Sequence, residues 1–174
     1  MYYFLDIDGV LNKESDWQVP FTINPECAAC FVMLLKKDKD PHVVLSSTWR
    51  LGATNLGSKA PKDNSLLKEI EKYGITIEGA TPISNKTRQE EIEYYIRRKG
   101  IKDYLVIDDD ESLFPRSKDI CLYITNYKVG LTVADVRAIE KMQKRSRIGL
   151  VVLIIYRLLL TVQSNHWLQK QVSL

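Results

Sequence analysis

Short apolar runs alternate along the chain with longer mixed stretches, and their spacing predicts the elements. Tyr2–Leu5 is apolar throughout, which suits a strand buried on both faces. Residues 12–24 are polar and contain Pro20, so they read as loop. Asn24-Pro25-Glu26 supplies an N-cap followed by proline at the first helical position, opening a helix that runs to about Lys37. Lys36–Pro41 is a charged turn, and a second strand follows over 42–46. A helix starts at Asp63 or Asn64, runs through Lys72 and is stopped by Tyr73-Gly74, and a third strand is expected at 75–77. In TRQEEIEYYIRR, residues 87–98, helical spacing turns Ile92, Tyr95 and Ile96 inward, with Gly100 as the stop. Tyr104–Ile107 and Ile120–Ile124 read as further strands, and Val133–Lys144 as a closing helix.

Apolar runs separated mostly by helices predict an α/β fold, a doubly wound three-layer sandwich around a parallel central sheet. The stretch from Gly9 to Val43 leaves no room for a large inserted cap domain. The chain is expected to divide into a domain over 1–147 and an apolar C-terminal helix or tail over 148–174. IGLVVLIIYRLLLTV, residues 148–162, is interrupted by Arg157 and falls short of the roughly 20 apolar residues that span a bilayer as a helix. A membrane is therefore not the expected partner. Packing on the domain or against a partner chain is the better reading.

Composition narrows the class only modestly. Among 174 residues the apolar fraction is 45%, the charged fraction 27% and the net charge +3, as in ordinary globular proteins. That charge is too small to imply nucleic acid by itself. Arg137, Lys141, Lys144, Arg145 and Arg147 nevertheless face only Glu140 within residues 137–147. Such a run serves equally as a phosphate-attracting face or a solvated helix end. Cys27, Cys30 and Cys121 make no disulfide framework, and Cys27-Ala-Ala-Cys30 fits a small apolar helix face as well as a redox pair. With no secretory signal in view, a reducing, cytoplasmic setting is expected. His42 and His166 are too few and too scattered for a zinc site.

Asp6 and Asp8 break the first apolar run just before Gly9. An unpaired buried carboxylate is costly, so either the strand ends there or a cation sits between the acids. In an open parallel sheet the reactive crevice lies beyond the carboxyl ends of the strands. Three expected strands end in Asp6-Ile7-Asp8-Gly9, in Ser46-Ser47-Thr48 and in Asp108-Asp109-Asp110. Acids converging on one sheet edge repel one another, and hard oxygen donors suit Mg²⁺. Trp49-Arg50 either lines the site or packs a helix start, and Asn12 stands near the loop mouth. Tyr94, Tyr95 and Tyr104 read as helix-to-sheet packing.

These motifs resemble the haloacid dehalogenase (HAD) superfamily of phosphotransferases, over about residues 1–136. Asp6-Ile7-Asp8-Gly9-Val10 matches the family's first motif, Val43-Val44-Leu45-Ser46 its second, and Val106-Ile107-Asp108-Asp109 its fourth. For the third, a basic residue, Lys86 and Arg88 compete. LSSTWR at 45–50, TRQEEI at 87–92, VIDDD at 106–110 and GLT at 130–132 are similar to the small HAD domains of bacterial and phage RNA-repair (Swiss Army Knife) proteins, which favours Arg88. The resemblance implies a Mg²⁺-dependent phosphomonoesterase with Asp6 as nucleophile and Asp8 as acid and base. Ser46 would bind a phosphoryl oxygen and Arg88 would neutralise charge. Asp6, Asp109, the Asp8 carbonyl and Asp108 would hold the metal, with Ser47, Arg50 and Lys86 near the substrate. A terminal phosphate of RNA or DNA is the expected substrate, while a small-metabolite phosphatase and a non-catalytic phosphate- or protein-binding module remain the alternatives.

Overall fold

The computed structural model describes residues 1–19, 22–51, 65–84 and 86–145. Pro20, Asp63, Asn64, Arg147 and the apolar segment 148–174 lie outside the described residues. Strands β1 (Tyr2–Leu5), β2 (His42–Leu45), β3 (Ile77–Ala80), β4 (Tyr104–Asp108) and β5 (Leu122–Ile124) form one sheet in the order β3-β2-β1-β4-β5. Every neighbouring pair is parallel. Helices α1 (Pro25–Leu35), α2 (Ser65–Glu71) and α3 (Arg88–Lys99) connect them, and α4 spans 133–145. This is the expected α/β sandwich, without a large cap. Two compact units divide the chain, Met1–Val136 and Arg137–Leu174, and the sheet, α1–α3 and all the site residues lie in the first.

β1 is central and buried on both faces, which is why its sequence is apolar without alternation. Phe4 packs edge-on against Tyr95 of α3, 5.7 Å between centroids, within a core that includes Val44, Ile92, Val106 and Phe114. Tyr3 points to the other face and meets Phe31 of α1 edge-on at 6.1 Å. Asn24 caps α1 as expected, its side chain accepting from the Glu26 and Cys27 amides.

Several boundaries shift: β2 ends at Leu45 rather than at 46, β4 runs on to Asp108, and α2 ends at Glu71 rather than Lys72. β3 starts at Ile77 rather than 75, because Ile75, although fully buried, lies ahead of the ladder with β2. Its glycine makes room, since a Cβ at Gly79 would lie 2.8 Å from the Tyr95 hydroxyl. β5 begins at Leu122, with Ile120 serving as a core residue ahead of it. α1 ends at Leu35, and Lys36 and Lys37 continue as turn. Among the described residues no helix is long and apolar enough to cross a membrane.

Candidate active site

The register builds a row of polar residues at the carboxyl ends of the strands. Leu5 pairs with Leu45 and with Ile107, and Leu45 pairs with Ala80. The next residues are Asp6, Ser46, Asp108 and Thr81, all buried. This is the carboxyl edge of the sheet, and β1 and β4 flank the point where strand order reverses.

Arg88 joins the two acids of that row. Its Nη1 donates to Asp6 Oδ1 at 2.6 Å and to Asp108 Oδ2 at 2.7 Å, in a setting where all three side chains are less than a tenth exposed. Arg88 reaches them because it is the first residue of α3, which a capping box fixes. Thr87 Oγ1 accepts from the Glu90 amide, and the Thr87 amide donates to Glu90 Oε2. Lys86 sits two residues earlier, exposed, and among the described residues its ammonium makes no ion pair. Of the two candidate bases, Arg88 alone touches the acids.

Asp8 occupies different ground. The amides of Val10 and Leu11 donate to the Ile7 carbonyl at 3.1 and 2.8 Å, which closes a tight turn through Gly9. Gly9 has φ +68°, and a Cβ there would collide with the Asp109 carboxyl, so no other residue fits. The half-buried Asp8 carboxylate accepts from Asn12 Nδ2 at 2.9 Å and from Trp49 Nε1 at 2.7 Å. Asn12 is itself pinned, because its Oδ1 accepts from the Gly9 amide at 3.0 Å and from Trp17 Nε1 at 2.9 Å. Thr125 ties the turn to β4, its hydroxyl donating to the Gly9 carbonyl at 2.8 Å. In the GLT element, Leu131 donates to the Val10 carbonyl at 2.9 Å, and Gly130, with φ +67°, lies against Cys27 Sγ and the Asn12 carbonyl.

At the end of β2, Ser46 is fully buried and its hydroxyl has no hydrogen-bond partner among the described residues. An unsatisfied buried hydroxyl is costly, and an incoming oxyanion would satisfy this one. Ser47 is fully buried, its hydroxyl accepts from the Trp49 amide at 3.3 Å, and its side chain favours the ionised form of Asp6. Arg50 turns inward instead of facing the crevice. Its Nη1 donates to the Ser46 and Ser47 carbonyls at 2.7 and 2.8 Å, and its Nη2 pairs with the buried Glu91 of α3. Glu91 Oε1 accepts from the Ser84 amide at 2.7 Å, so one buried pair fixes the serine loop, the 81–84 loop and α3 together.

Burial dominates the electrostatics. Loss of solvent raises Asp6 to about 7, with Asp108 and Asp109 adding to the rise while Arg88 and the Ser47 hydroxyl oppose it. Asp109 is raised to about 6 by burial and by its neighbour Asp108. Asp108 is also raised, burial outweighing Arg88. Oxygens of Asp6, Asp108 and Asp109 lie within 4.8 Å of one another, and the single guanidinium of Arg88 cannot balance three carboxylates. Hard, clustered oxygen donors with excess negative charge fit a divalent cation such as Mg²⁺. The Asp8 carboxylate does not belong to that cluster.

Three contributors escaped the sequence reading. Glu91 looks like any surface acid of α3, although it lies within the TRQEEI element and directly precedes the inward-facing Ile92. Thr125 and Thr81 are visible only once the strands are in register. The Thr81 hydroxyl is buried and, among the described residues, unpartnered.

No curated protein and no solved structure matches the chain. A family model does, over residues 2–136: the HAD domain in Swiss Army Knife RNA repair proteins. The match covers most of the chain, and the chain belongs to that family of HAD domains.

Proposed function

We propose that the protein is a cytoplasmic, Mg²⁺-dependent phosphomonoesterase that acts through an aspartyl-phosphate, with a terminal phosphate of RNA or DNA as its substrate. The observation that carries this reading is the buried set of Asp6, Asp108, Asp109 and Arg88 at the strand-order reversal, with the unpartnered Ser46 hydroxyl in the same row.

Each residue's task follows from its surroundings. A carboxylate oxygen of Asp6 attacks phosphorus, forming the acyl phosphate as the bond to the ester oxygen breaks. Asp8 gives its proton to that leaving oxygen, then takes one from the water that hydrolyses the intermediate. Ser46 donates its hydroxyl to a phosphoryl oxygen, and Ser47 orients the Asp6 carboxyl. Arg88 offsets charge that develops on the transferring group. Asp6, Asp108, Asp109 and the Asp8 carbonyl would hold Mg²⁺, which lessens repulsion between the carboxylate and phosphoryl oxygens when bound. Arg50 serves as a positioning residue behind the serines, and Lys86 stands at the rim where a polyanion would approach. The phosphatase domain of this reading occupies 1–147.

The nucleic-acid part of the reading draws on the family's RNA-repair setting. Its test compares kcat/KM for 3′-phosphorylated and 5′-phosphorylated oligonucleotides and a panel of sugar phosphates at two salt concentrations. A nucleic-acid substrate gives a marked loss of kcat/KM as salt rises. Sugar phosphates ahead by tenfold, with no salt effect on the oligonucleotides, would make this a metabolite phosphatase. Tight Mg²⁺ and phosphate binding with no turnover of any ester would make it a binding module.

A further inference from the structure

Beside Asp8 the surface carries a pair of aromatic rings that the chemistry above does not use. Trp17 and Tyr127 stack at 6.0 Å between centroids with their planes 22° apart. They are 44% and 38% exposed, although large aromatic side chains usually bury most of their surface. Lys128 Nζ lies 5.8 Å from the centre of the Tyr127 ring. This places a cation against the stack.

The pair is wired to the site. Trp17 Nε1 donates to Asn12 Oδ1 at 2.9 Å, and Nδ2 of the same amide donates to Asp8 Oδ1 at 2.9 Å. Two hydrogen bonds and one amide group therefore separate the indole from the proposed acid and base. Asn12 is 2% exposed, so the amide at the centre of the connection is buried even though the rings are open. The Glu14 amide donates to the Tyr127 carbonyl at 3.0 Å, which clamps the two loops together. Tyr127 rides a turn closed by the Gly130 amide on the Asn126 carbonyl at 2.9 Å. Rings already fixed in place lose little freedom on binding, unlike flexible side chains.

We propose that Trp17, Tyr127 and Lys128 form a platform that stacks the base of the nucleotide carrying the scissile phosphate. This rests on the nucleic-acid reading above and specifies which part of the substrate is held. A planar base matches the exposed ring faces, and Lys128 complements the adjoining backbone charge. Stacking also tolerates any base, so the platform confers a preference for nucleotides over bare sugars without reading sequence.

Two measurements test it. The first is the ratio of kcat/KM for nucleoside 3′- and 5′-monophosphates to that for the corresponding base-free ribose phosphates. The wild-type ratio should reach about 5 to 100 at one end or the other, the span expected for stacking one base on aromatic side chains. Tyr127→Ala should collapse it toward one, and Tyr127→Trp should restore it. The second is quenching of tryptophan fluorescence by nucleoside monophosphates in the Asp6→Asn protein, which needs no turnover. Quenching should be saturable, and weakened at least fivefold by Tyr127→Ala. Hydrolysis of nucleotides and ribose phosphates alike, with no quenching, overturns the platform and leaves the phosphatase reading intact. Quenching that depends on Tyr127, with no ester hydrolysed, keeps the platform and removes the phosphatase. A dimer that Tyr127→Ala dissociates, with an unchanged ratio, assigns the rings to a second copy of the chain and overturns the proposal.

Discussion

Asp6 and Asp8 are separated by one residue, yet they occupy different media. Asp6 is 4% exposed, bonded to Arg88 and crowded by Asp108 and Asp109. Asp8 is half-buried and, among the described residues, accepts only from neutral groups, the Asn12 amide and the Trp49 indole. The turn at Gly9 makes this split, because it carries the chain out of the sheet between the two acids. One side of the motif is thus an ionic cluster held in low dielectric, where every charge change is costly. The other is a carboxylate whose orientation is fixed without any countercharge. Two acids so arranged suit two roles, a fixed nucleophile and a group free to exchange protons with solvent.

The largest effects should come from removing either acid, and they should differ in kind. Asp6→Asn should lower kcat on an aryl phosphate by about 10⁴ or more, as loss of a nucleophile does. Asp8→Asn should lower it by roughly 10² to 10⁴, the range for a general acid–base. Rapid mixing with nitrophenyl phosphate distinguishes the two. An activated leaving group needs no proton, so Asp8→Asn should release nitrophenol in a burst while the phosphoenzyme accumulates. Asp6→Asn should show no burst. The same behaviour from both variants would break the division of labour.

Arg88 tests the ionic side alone. Arg88→Met leaves Asp6 and Asp108 together without their shared donor. Breaking a buried pair by removing one partner costs about 3–5 kcal/mol, and loss of a transition-state donor costs on the order of 10² to 10³ in kcat. Urea unfolding in millimolar Mg²⁺ and steady-state rates measure both. Stability should recover if the neighbouring charge is also removed, as in Arg88→Met with Asp108→Asn, while the rate should not. A double variant as unstable as the single would show that Arg88 acts by packing rather than by charge.

The metal comes next in size. Asp6 and Asp109 are raised to about 7 and about 6 from 3.8, so the metal-free fold binds protons that the unfolded chain releases. Stability from these groups is therefore greatest at acid pH. It falls as pH rises from about 3.8 toward 7, and the penalty is complete above that. Mg²⁺ has to displace the same protons, so its stabilisation should grow in the opposite direction. At pH 8, Mg²⁺ at about a hundred times its Kd should raise Tm by roughly 5–10 °C over EDTA, and at pH 5.5 by less than half of that. An equal rise at both values would place the metal elsewhere.

Much of this site was legible in the chain because it follows strand ends. A parallel sheet puts all its carboxyl ends on one edge, so acids after β1 and β4 and serines after β2 had to converge once the strands were identified. Arg88 was less certain. Helix periodicity places it at the start of α3, but only the capping box, with Thr87 and Glu90 bonded to each other, sets the angle that favours it over Lys86. Arg50 shows what periodicity misses. An arginine after a serine pair reads as a substrate ligand, and the structure engages it with two backbone carbonyls and Glu91, which is far away in sequence. The edge strand was misplaced for a related reason, because Ile75 is apolar for the core's sake rather than for pairing. Long-range partners of single side chains leave no periodic trace.

The smallest expected effect isolates the neutral side of the comparison. Trp49→Phe keeps a ring beside the serine loop and removes one of the donors that Asp8 accepts, the indole at 2.7 Å. Asn12 remains, so the carboxylate stays bonded but is free to rotate about a single contact. A hydrogen bond to a charged group is worth about 1.5–3 kcal/mol net, which corresponds to a loss of at most roughly ten- to 150-fold in kcat. KM should hold, because the indole acts on Asp8 and not on the phosphate. Trp49→Ala should lower kcat further, since the packing goes with the donor. The burst experiment then locates the loss: if Asp8 is the group affected, Trp49→Phe slows the steady-state phase after the burst more than the burst itself. A loss confined to KM would instead make Trp49 part of the substrate's own contact surface, and the orientation of Asp8 would rest on Asn12 alone.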